Sequence, residues 1–332
     1  MNSYTNEAGR VEFNYNNILT CKAWDTYRDF NPEFFNHVHC FNAFRKCVNL
    51  IAQAHNQIII LMCDHNPEYR EISDNKSVLL ACSGGLDSVY QAFWLREHGY
   101  NVILFHCANM NFYTNGQELK NVESFAKKHE FPLVVVRQVS NFNKDNRYRK
   151  FWQENSWKDM LFYSMMCDYC IEHDIHYISS GDDLRLNLSD AVVGTNLSDA
   201  HEITEAFLDG LKEITNVKFI PVNRLDHKGI RLQKIIENNA LDDFYSCVNP
   251  GKFNQSNHKR IEKKFNVKLE KNNCGVCRKC AFHTLLRHYY LKEYYPDEFI
   301  NFCWDKIAIG ADNVFFNKDL PLETRIKNLY DY

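Results

Sequence analysis

Residues 83–88 have the sequence SGGLDS, which places two glycines, two serine hydroxyls and one carboxylate directly after the apolar run at 78–81. This pattern predicts a strand, a tight turn and a helix, so that backbone N–H groups and the helix dipole converge on an anion. The two glycines let a phosphate group approach the backbone, and the hydroxyls of Ser83 and Ser88 can donate to it. The segment therefore predicts a phosphate site.

The carboxylate in this segment has a different role from the hydroxyls. Asp87 cannot bind phosphate directly, so we expect it to hold Mg²⁺ or to orient the loop. The lysine of the Walker A pattern GxxxxGKS/T is missing, which excludes that type of ATP-binding loop. We therefore expect polyphosphate to be bound by the backbone and the hydroxyls.

Three of the thirteen cysteines follow the spacing CxxCxxC, at Cys274, Cys277 and Cys280. This spacing lets a tight turn present three thiolates to one ion, and Cys247 could complete a tetrahedral zinc site. A site of four thiolates has no open position, so we expect Zn²⁺ to add folding free energy to the polar C-terminal loops. An iron–sulfur cluster and cysteines without a metal are the two alternatives.

Short apolar runs rich in β-branched residues alternate with amphipathic stretches between residues 77 and 222. The runs lie at 78–81, 102–105, 133–136, 176–180 and 217–222. This alternation predicts an α/β fold with a doubly wound parallel sheet, and helices through residue 96 and at 118–129, 157–172 and 282–294. We predict a folded N-terminal extension of unknown role at 1–76, a core at 77–246, and a zinc-binding segment with a helical tail at 247–332.

The composition argues against two classes of partner. The formal net charge is −3, from 39 basic and 42 acidic residues, so the chain lacks the basic excess that binding to a long nucleic-acid backbone requires. No apolar run approaches the roughly 20 residues that span a bilayer, and the polar start does not resemble a signal peptide. We expect a cytoplasmic protein with no membrane partner, whose two added ends pack on the core or form a partner surface, as in a homodimer.

The SGGLDS loop after a first strand resembles the signature of the PP-loop ATP pyrophosphatases, which cleave ATP between its α and β phosphates. The resemblance implies a PP-loop (HUP-type) fold with ATP and Mg²⁺ as cofactors. A nucleotide base could also lie beside the histidine after the second strand, although a hydrogen-bonded histidine is common at a strand end. The expected ATP contacts are Ser83, Gly84, Gly85, Leu86, Asp87, Ser88, His106 and Gly181.

The cysteine pattern makes the resemblance more specific. A PP-loop followed by SCVN at 246–249 and CGVCRKC at 274–280 is similar to the 7-cyano-7-deazaguanine synthases of queuosine biosynthesis. In that family ATP adenylates the carboxylate of 7-carboxy-7-deazaguanine, ammonia displaces AMP to give an amide, and a second ATP yields the nitrile. The resemblance implies catalytic roles for Asp87 and Ser88 and for Lys228, which matches a family lysine that neutralises phosphate charge. It implies substrate contacts from Lys158, Asp182 and Asp199.

This chain departs from the family pattern in three places. The family's substrate loop is replaced by LRLNLSD at 184–190, the spacing from Cys247 to Cys274 is longer than usual, and about 76 residues precede the core. Similar divergent proteins occur in antiphage defence operons, where the resemblance suggests that the activated deazapurine is joined to another amine, such as a protein N-terminus. A protein substrate is therefore an alternative to ammonia.

Two further functions stay open. A tRNA-modifying PP-loop enzyme would need a persulfide-forming cysteine or an RNA-binding appendage, and Cys82 is badly placed for the former. A nucleotide-sensing subunit of a defence complex would bind ATP without consuming it, which the intact loop argues against. The CxxC pair Cys167 and Cys170 lies in a predicted helix, where core packing is favoured over redox chemistry.

Overall fold

A computed structural model describes residues 4–5, 11–12, 57–62, 76–108, 117–139, 158–181, 208, 211–212, 215–222, 228–244, 247, 251–270, 273–308, 320–321 and 324–325. The strands in these ranges are β1 (Tyr4–Thr5), β2 (Val11–Glu12), β3 (Gln57–Met62), β4 (Ser77–Ala81), β5 (Asn101–Ala108), β6 (Leu133–Val139), β7 (Tyr177–Ser179) and β8 (Lys218–Phe219). The helices are α1 (Leu86–Glu97), α2 (Gln117–Lys128), α3 (Lys158–Glu172), α4 (Lys228–Glu237), α5 (Gly251–Phe265), α6 (Arg278–Leu291) and α7 (Asp297–Ala308). The described helices include none with the length and apolar character needed to cross a membrane.

The main sheet has the strand order β3-β6-β5-β4-β7-β8. Strands β4 to β8 are mutually parallel, whereas β3 runs antiparallel to β6, with Ile59 opposite Arg137. The five predicted apolar runs are the five parallel strands, and helices α1, α2 and α3 connect the first four of them. The predicted doubly wound α/β fold is confirmed, and β3, from the predicted N-terminal extension, adds an antiparallel edge strand.

The strand order reverses beside β4. From β4 the chain moves outward to β5 and β6, and it then returns past β4 to form β7 and β8. In an open parallel sheet, such a reversal leaves a crevice at the carboxyl ends of the two diverging strands, where ligands bind. The segments after β4 and β7, at residues 82–85 and 180–181, therefore flank the expected binding crevice.

The central strands are apolar on both faces because helices cover both faces of the sheet. Val78, Leu79 and Leu80 of β4 are completely buried. On one face, α1, α2 and α4 join the C-terminal helices α6 and α7 in one apolar cluster. On the other face, the ring of Phe105 meets Tyr169 of α3 with 6.0 Å between centroids. The C-terminal helices are thus part of the core packing.

Cys167 and Cys170 lie buried in α3, as the sequence predicts for core residues. Burial raises the pKa of the Cys167 thiol to about 12, so it is protonated and unreactive at neutral pH.

Candidate functional site

The turn between β4 and α1 is shaped for an anion. Gly84 has a φ of +71°, which side chains rarely adopt, and a Cβ atom there would lie 3.1 Å from Val122. Gly85 is the N-cap residue of α1 and provides no side-chain acceptor for the N–H groups of the first turn. These N–H groups therefore point toward the crevice at the positive end of the helix dipole.

The two serines of the loop have different surroundings. Ser83 is exposed, and its hydroxyl oxygen accepts a 3.4 Å hydrogen bond from the Gly85 N–H. Ser88 is buried, and its hydroxyl donates to the Gly85 carbonyl over 3.2 Å. Leu86 is buried in the core and anchors the start of the helix. Ser83 is thus the hydroxyl most available to a ligand, while Ser88 and Leu86 hold the turn in shape.

Asp87 accepts hydrogen bonds from two cations on the same carboxylate oxygen. The Lys228 ammonium lies 2.5 Å from Oδ1 and an Arg231 guanidinium nitrogen lies 2.6 Å from it. Both cations come from α4, one helical turn apart, and the Arg231 side chain is 0% exposed whereas Lys228 is 19% exposed. The structure therefore joins the predicted Asp87 and Lys228 and adds a buried arginine.

The two cations control the charge of the loop. Burial opposes ionisation of Asp87, but the positive charges of Lys228 and Arg231 outweigh this effect and hold the pKa of its carboxyl well below the usual range. Asp87 is a carboxylate at neutral pH, so one negative charge faces two positive charges. Lysine and arginine side chains are also the charge-assisted donors that bind phosphate groups in proteins.

Sequence reasoning missed Arg231, although a signal for it exists. Arg231 lies three residues after Lys228 and shares the buried face of α4 with Leu232 and Ile235. A charged residue on an otherwise apolar helix face requires a partner of opposite charge, because an unpaired buried charge is costly. The pattern alone did not identify Asp87 as that partner.

Gly181 follows β7 and lies against the SGGLDS loop. The fold predicts this approach, because the segments after β4 and β7 flank the crevice. A Cβ atom at Gly181 would lie 3.2 Å from the Ser88 nitrogen and 3.5 Å from the Asp87 Cβ. The preceding Ser180 is fixed by a 2.8 Å hydrogen bond between its hydroxyl and that of Tyr163. The absence of a side chain at Gly181 thus gives the two strand ends room to approach, and a direct contact between Gly181 and ATP stays a prediction.

His106 lies behind the loop. It is buried in β5, and its Nδ1 donates to the Cys82 carbonyl over 2.8 Å. This hydrogen bond fixes the backbone at the point where β4 ends. The structure therefore shows the hydrogen-bonded histidine, and the predicted contact with the nucleotide base stays a prediction.

The side chains of the three predicted substrate residues lie outside the part of the chain that the structure describes. Lys158 begins α3, but its side chain lies outside the described part of the chain. Asp182 and Asp199 also lie outside the described residues. Their roles stay predictions from the sequence.

The four predicted metal ligands come together in one cluster. The sulfur atoms of Cys247, Cys274, Cys277 and Cys280 all lie within 4.8 Å of one another. The Cys274 and Cys280 sulfurs are 3.8 Å apart. Tetrahedral thiolates bound at about 2.3 Å to one zinc ion would be about 3.8 Å apart, so the four residues fit a single ion.

The backbone around this cluster favours thiolates. Cys277 is the N-cap of α6, and its sulfur accepts a hydrogen bond from the Cys280 N–H at 3.4 Å. The Cys274 sulfur accepts from the Cys277 N–H at the same distance. Hydrogen bonds among the four sulfurs lower the pKa of Cys274 and Cys277 and raise the pKa of Cys247 and Cys280. Gly275 has a φ of +69°, and a Cβ atom there would lie 2.8 Å from Ile261, so the turn requires glycine.

A histidine from α6 lies near the Asp87 ion pair. His283 is buried, and its Nδ1 has no hydrogen-bond partner within the part of the chain that the structure describes. Burial lowers the pKa of its imidazole to about 3, and the charges of Asp87 and Lys228 also act on it. His283 is therefore neutral at physiological pH, and sequence reasoning did not single it out.

No protein-family model matches the chain, and no curated protein matches it. Among solved structures, it is similar to a predicted subunit of tRNA methyltransferase from Methanocaldococcus jannaschii, with 14% identity and a TM-score of 0.34 over 51% of this chain and 92% of that one. It is also similar to the U34-tRNA thiolase NcsA from Methanococcus maripaludis, solved with its 4Fe–4S cluster, with 16% identity and a TM-score of 0.32 over 57% of this chain and 66% of that one. At these scores neither likeness transfers an activity to this chain.

Proposed function

We propose that the protein is an ATP-dependent ligase that adenylates a carboxylate and releases pyrophosphate. One observation carries this proposal: the SGGLDS turn lies at the strand reversal, with Lys228 and Arg231 paired to its Asp87. This arrangement offers backbone N–H groups and the partly exposed ammonium of Lys228 at one end of a crevice. A nucleoside triphosphate has the matching shape and charge.

The residues of the loop suggest how the reaction proceeds. The first-turn N–H groups and the Ser83 hydroxyl hold the phosphates, and Lys228 stabilises the negative charge that builds on the departing pyrophosphate. A substrate carboxylate oxygen attacks the α-phosphorus, and the bond from that phosphorus to the oxygen bridging the α and β phosphates breaks. Mg²⁺ bound with ATP supplies further screening of the phosphate charge.

An amine completes the reaction. Its nitrogen attacks the carbonyl carbon of the acyl adenylate, the bond to the AMP oxygen breaks, and the nitrogen releases a proton to solvent. The product is an amide, which a second ATP could dehydrate to a nitrile.

For the substrate we propose a 7-carboxy-7-deazaguanine-type carboxylate. The support is the pairing of the loop with SCVN at 246–249 and CGVCRKC at 274–280, a combination more specific than either motif alone. The amine is ammonia or, as the altered loop at 184–190 and the added N-terminal residues suggest, an amine of a protein substrate in antiphage defence. Both versions share the adenylation step.

For the cysteine cluster we propose one structural Zn²⁺. In a 4Fe–4S cluster each cysteine binds a different iron atom, and in a 2Fe–2S cluster two cysteines bind each iron, so the four thiolates spread wider than the ligands of one ion. The separations of 4.8 Å or less between all four sulfurs support a single ion. Four thiolates leave no position for a substrate, so the ion would stabilise the fold.

One observation favours the RNA-modifying alternative. Lys259, Arg260, Lys263 and Lys264 are exposed on α5, and among the described residues no carboxylate pairs with them. The acidic Glu262 accepts instead from the Leu269 N–H at 2.9 Å. A row of exposed cations with no carboxylate partner in the described part of the chain is the electrostatic footprint of a polyanion partner. RNA binding that weakens steeply with salt and is lost after Lys259→Glu and Lys263→Glu would support it.

The proposal is tested by incubating the purified protein with ATP, Mg²⁺, 7-carboxy-7-deazaguanine and ammonia, and analysing products by mass spectrometry beside a pyrophosphate assay. We expect AMP, pyrophosphate and a new amide or nitrile. Turnover that requires a partner protein would identify the conjugating version. If ADP forms, or if Lys228→Ala is as active as wild type, the proposed role of the loop is wrong.

A further inference from the structure

The start of α4 is in unusually close contact with α6. A Cβ atom at Gly229 would lie 2.3 Å from Cζ, 2.4 Å from Cε1 and 2.6 Å from the hydroxyl oxygen of Tyr290. These separations are far shorter than any van der Waals contact, so the Tyr290 ring lies directly against the backbone of the glycine. Gly229 is buried and follows Lys228 in the chain.

The first turn of α4 is therefore held from two sides. On one side the Tyr290 ring packs directly against the Gly229 backbone. On the other side, Lys228 and Arg231 reach the carboxylate of Asp87 in the loop. Because Lys228 is adjacent to Gly229, a shift of the ring would move the lysine relative to the loop.

A second residue on the same face of α6 lies within electrostatic range of the ion pair. His283 and Tyr290 are seven residues apart, which places them on one side of a helix, two turns from each other. His283 is buried, its Nδ1 has no hydrogen-bond partner among the described residues, and the charges of both Asp87 and Lys228 act on it. This face of α6 thus contacts the first turn of α4 through Tyr290 and carries a histidine on which the charges of the ion pair act.

We propose that Tyr290 is a positioning residue for the ATP site. Its ring packs on Gly229 and thereby fixes the position of the Lys228 ammonium relative to the polyphosphate. This inference rests on the proposed function, because it assumes that polyphosphate binds at the loop. The cysteine cluster then also affects the position of Lys228, in addition to stabilising the fold. Cys277 caps α6, so the ligands that fix the start of this helix also fix the ring that places the lysine.

The experiment measures equilibrium binding of ATP and of AMP by calorimetry, together with metal content and thermal unfolding. The variants are Gly229→Ala, Tyr290→Ala, Tyr290→Phe and the double variant Gly229→Ala with Tyr290→Ala. Ile230→Ala is the matched control, because Ile230 is adjacent in α4 and its side chain is 42% exposed. Alanine is a better helix former than glycine, so a loss caused by Gly229→Ala cannot come from helix propensity.

We expect Gly229→Ala and Tyr290→Ala each to weaken ATP binding about tenfold, while AMP binding changes less than about twofold, since Lys228 faces the departing phosphates. Tyr290→Phe keeps the ring and should bind ATP as wild type does. The double variant should lose about tenfold, as each single variant does, rather than about a hundredfold, because the ring that Gly229→Ala displaces is already absent. Metal content should be unchanged in all of them.

Three results would overturn the inference. They are wild-type ATP affinity in both Tyr290→Ala and Gly229→Ala, equal losses of ATP and AMP binding in Tyr290→Ala, and strictly additive losses in the double variant. If Gly229→Ala does not fold, the comparison of Tyr290→Ala with Tyr290→Phe decides. Failure of the proposed function is a different result, in which the wild-type protein binds no ATP.

Discussion

The Lys228 ammonium lies 2.5 Å from the Asp87 carboxylate, although 141 residues separate the two in the sequence. Arg231 binds the same oxygen at 2.6 Å from a fully buried position. The more exposed lysine can leave this oxygen for an incoming phosphate, while the buried arginine keeps Asp87 ionised and in place. The pair therefore links the glycine loop to α4 and, in the proposed function, holds the lysine ready for ATP.

Replacing Asp87 by alanine should abolish pyrophosphate release and leave the metal content intact. The change leaves the buried Arg231 without the carboxylate, which should lower the free energy of unfolding by about 1–3 kcal/mol. Pyrophosphate release, zinc content and urea unfolding of the pure variant measure the three effects. Retained pyrophosphate release would contradict the role of Asp87 in the loop.

Replacing Gly181 by alanine should weaken ATP binding with little effect on stability. The added Cβ would lie 3.2 Å from the Ser88 nitrogen, so it crowds the N–H groups that face the crevice. We expect about a tenfold loss of ATP affinity and a change below about 1 kcal/mol in the free energy of unfolding. Calorimetry and chemical denaturation check these values, and unchanged ATP affinity would show that Gly181 lies away from the ligand.

Replacing Cys277 by serine should remove the metal and destabilise the C-terminal helices together. The thiolate is both a metal ligand and the cap of α6, and α6 packs in the main core. Wild-type protein should contain one zinc per chain, no iron and no visible absorbance, as elemental analysis and spectroscopy can establish. Iron with inorganic sulfide in the wild type, or full metal content in the variant, would contradict the single-ion zinc site.

Folding stability should depend on the ionisation of His283. Its pKa is about 3 in the folded protein and near the ordinary 6.5 when unfolded, so the unfolded chain binds a proton first as the pH falls. Stability is therefore lost between about pH 6.5 and pH 3, at roughly 1.4 kcal/mol per pH unit. Asp87 favours the protonated ring, whereas Lys228, Lys279 and Arg287 oppose it.

The test compares urea unfolding of wild type and His283→Leu at pH 7 and pH 5. Wild type should lose about 2 kcal/mol more than the variant on acidification, because the leucine cannot bind a proton. Protonation of the cysteine thiolates on acidification also lowers the free energy of unfolding. This loss is the same in both proteins, so it cancels in the difference. Equal losses would show that His283 is not buried in a neutral state.

Much of the fold was predictable because it depends on local patterns. The apolar runs became the parallel strands, the glycines marked the turn before α1, and the cysteine spacing marked the cluster. The contacts that build the site depend instead on helix packing. Nothing in the residues around Gly229 or Tyr290 shows that they touch, and Arg231 resembles an ordinary charged residue until α4 is placed against α1. The substrate residues Asp182 and Asp199 stay predictions.

The most direct test of the account is the fate of oxygen-18 in the substrate carboxylate. In the proposed adenylation, a carboxylate oxygen bonds to the α-phosphorus and leaves with AMP when the amine attacks. Mass spectrometry of the AMP from labelled 7-carboxy-7-deazaguanine, ATP and ammonia should therefore show one oxygen-18 atom per molecule. Unlabelled AMP, or label in inorganic phosphate with ADP as the other product, would contradict the central claim.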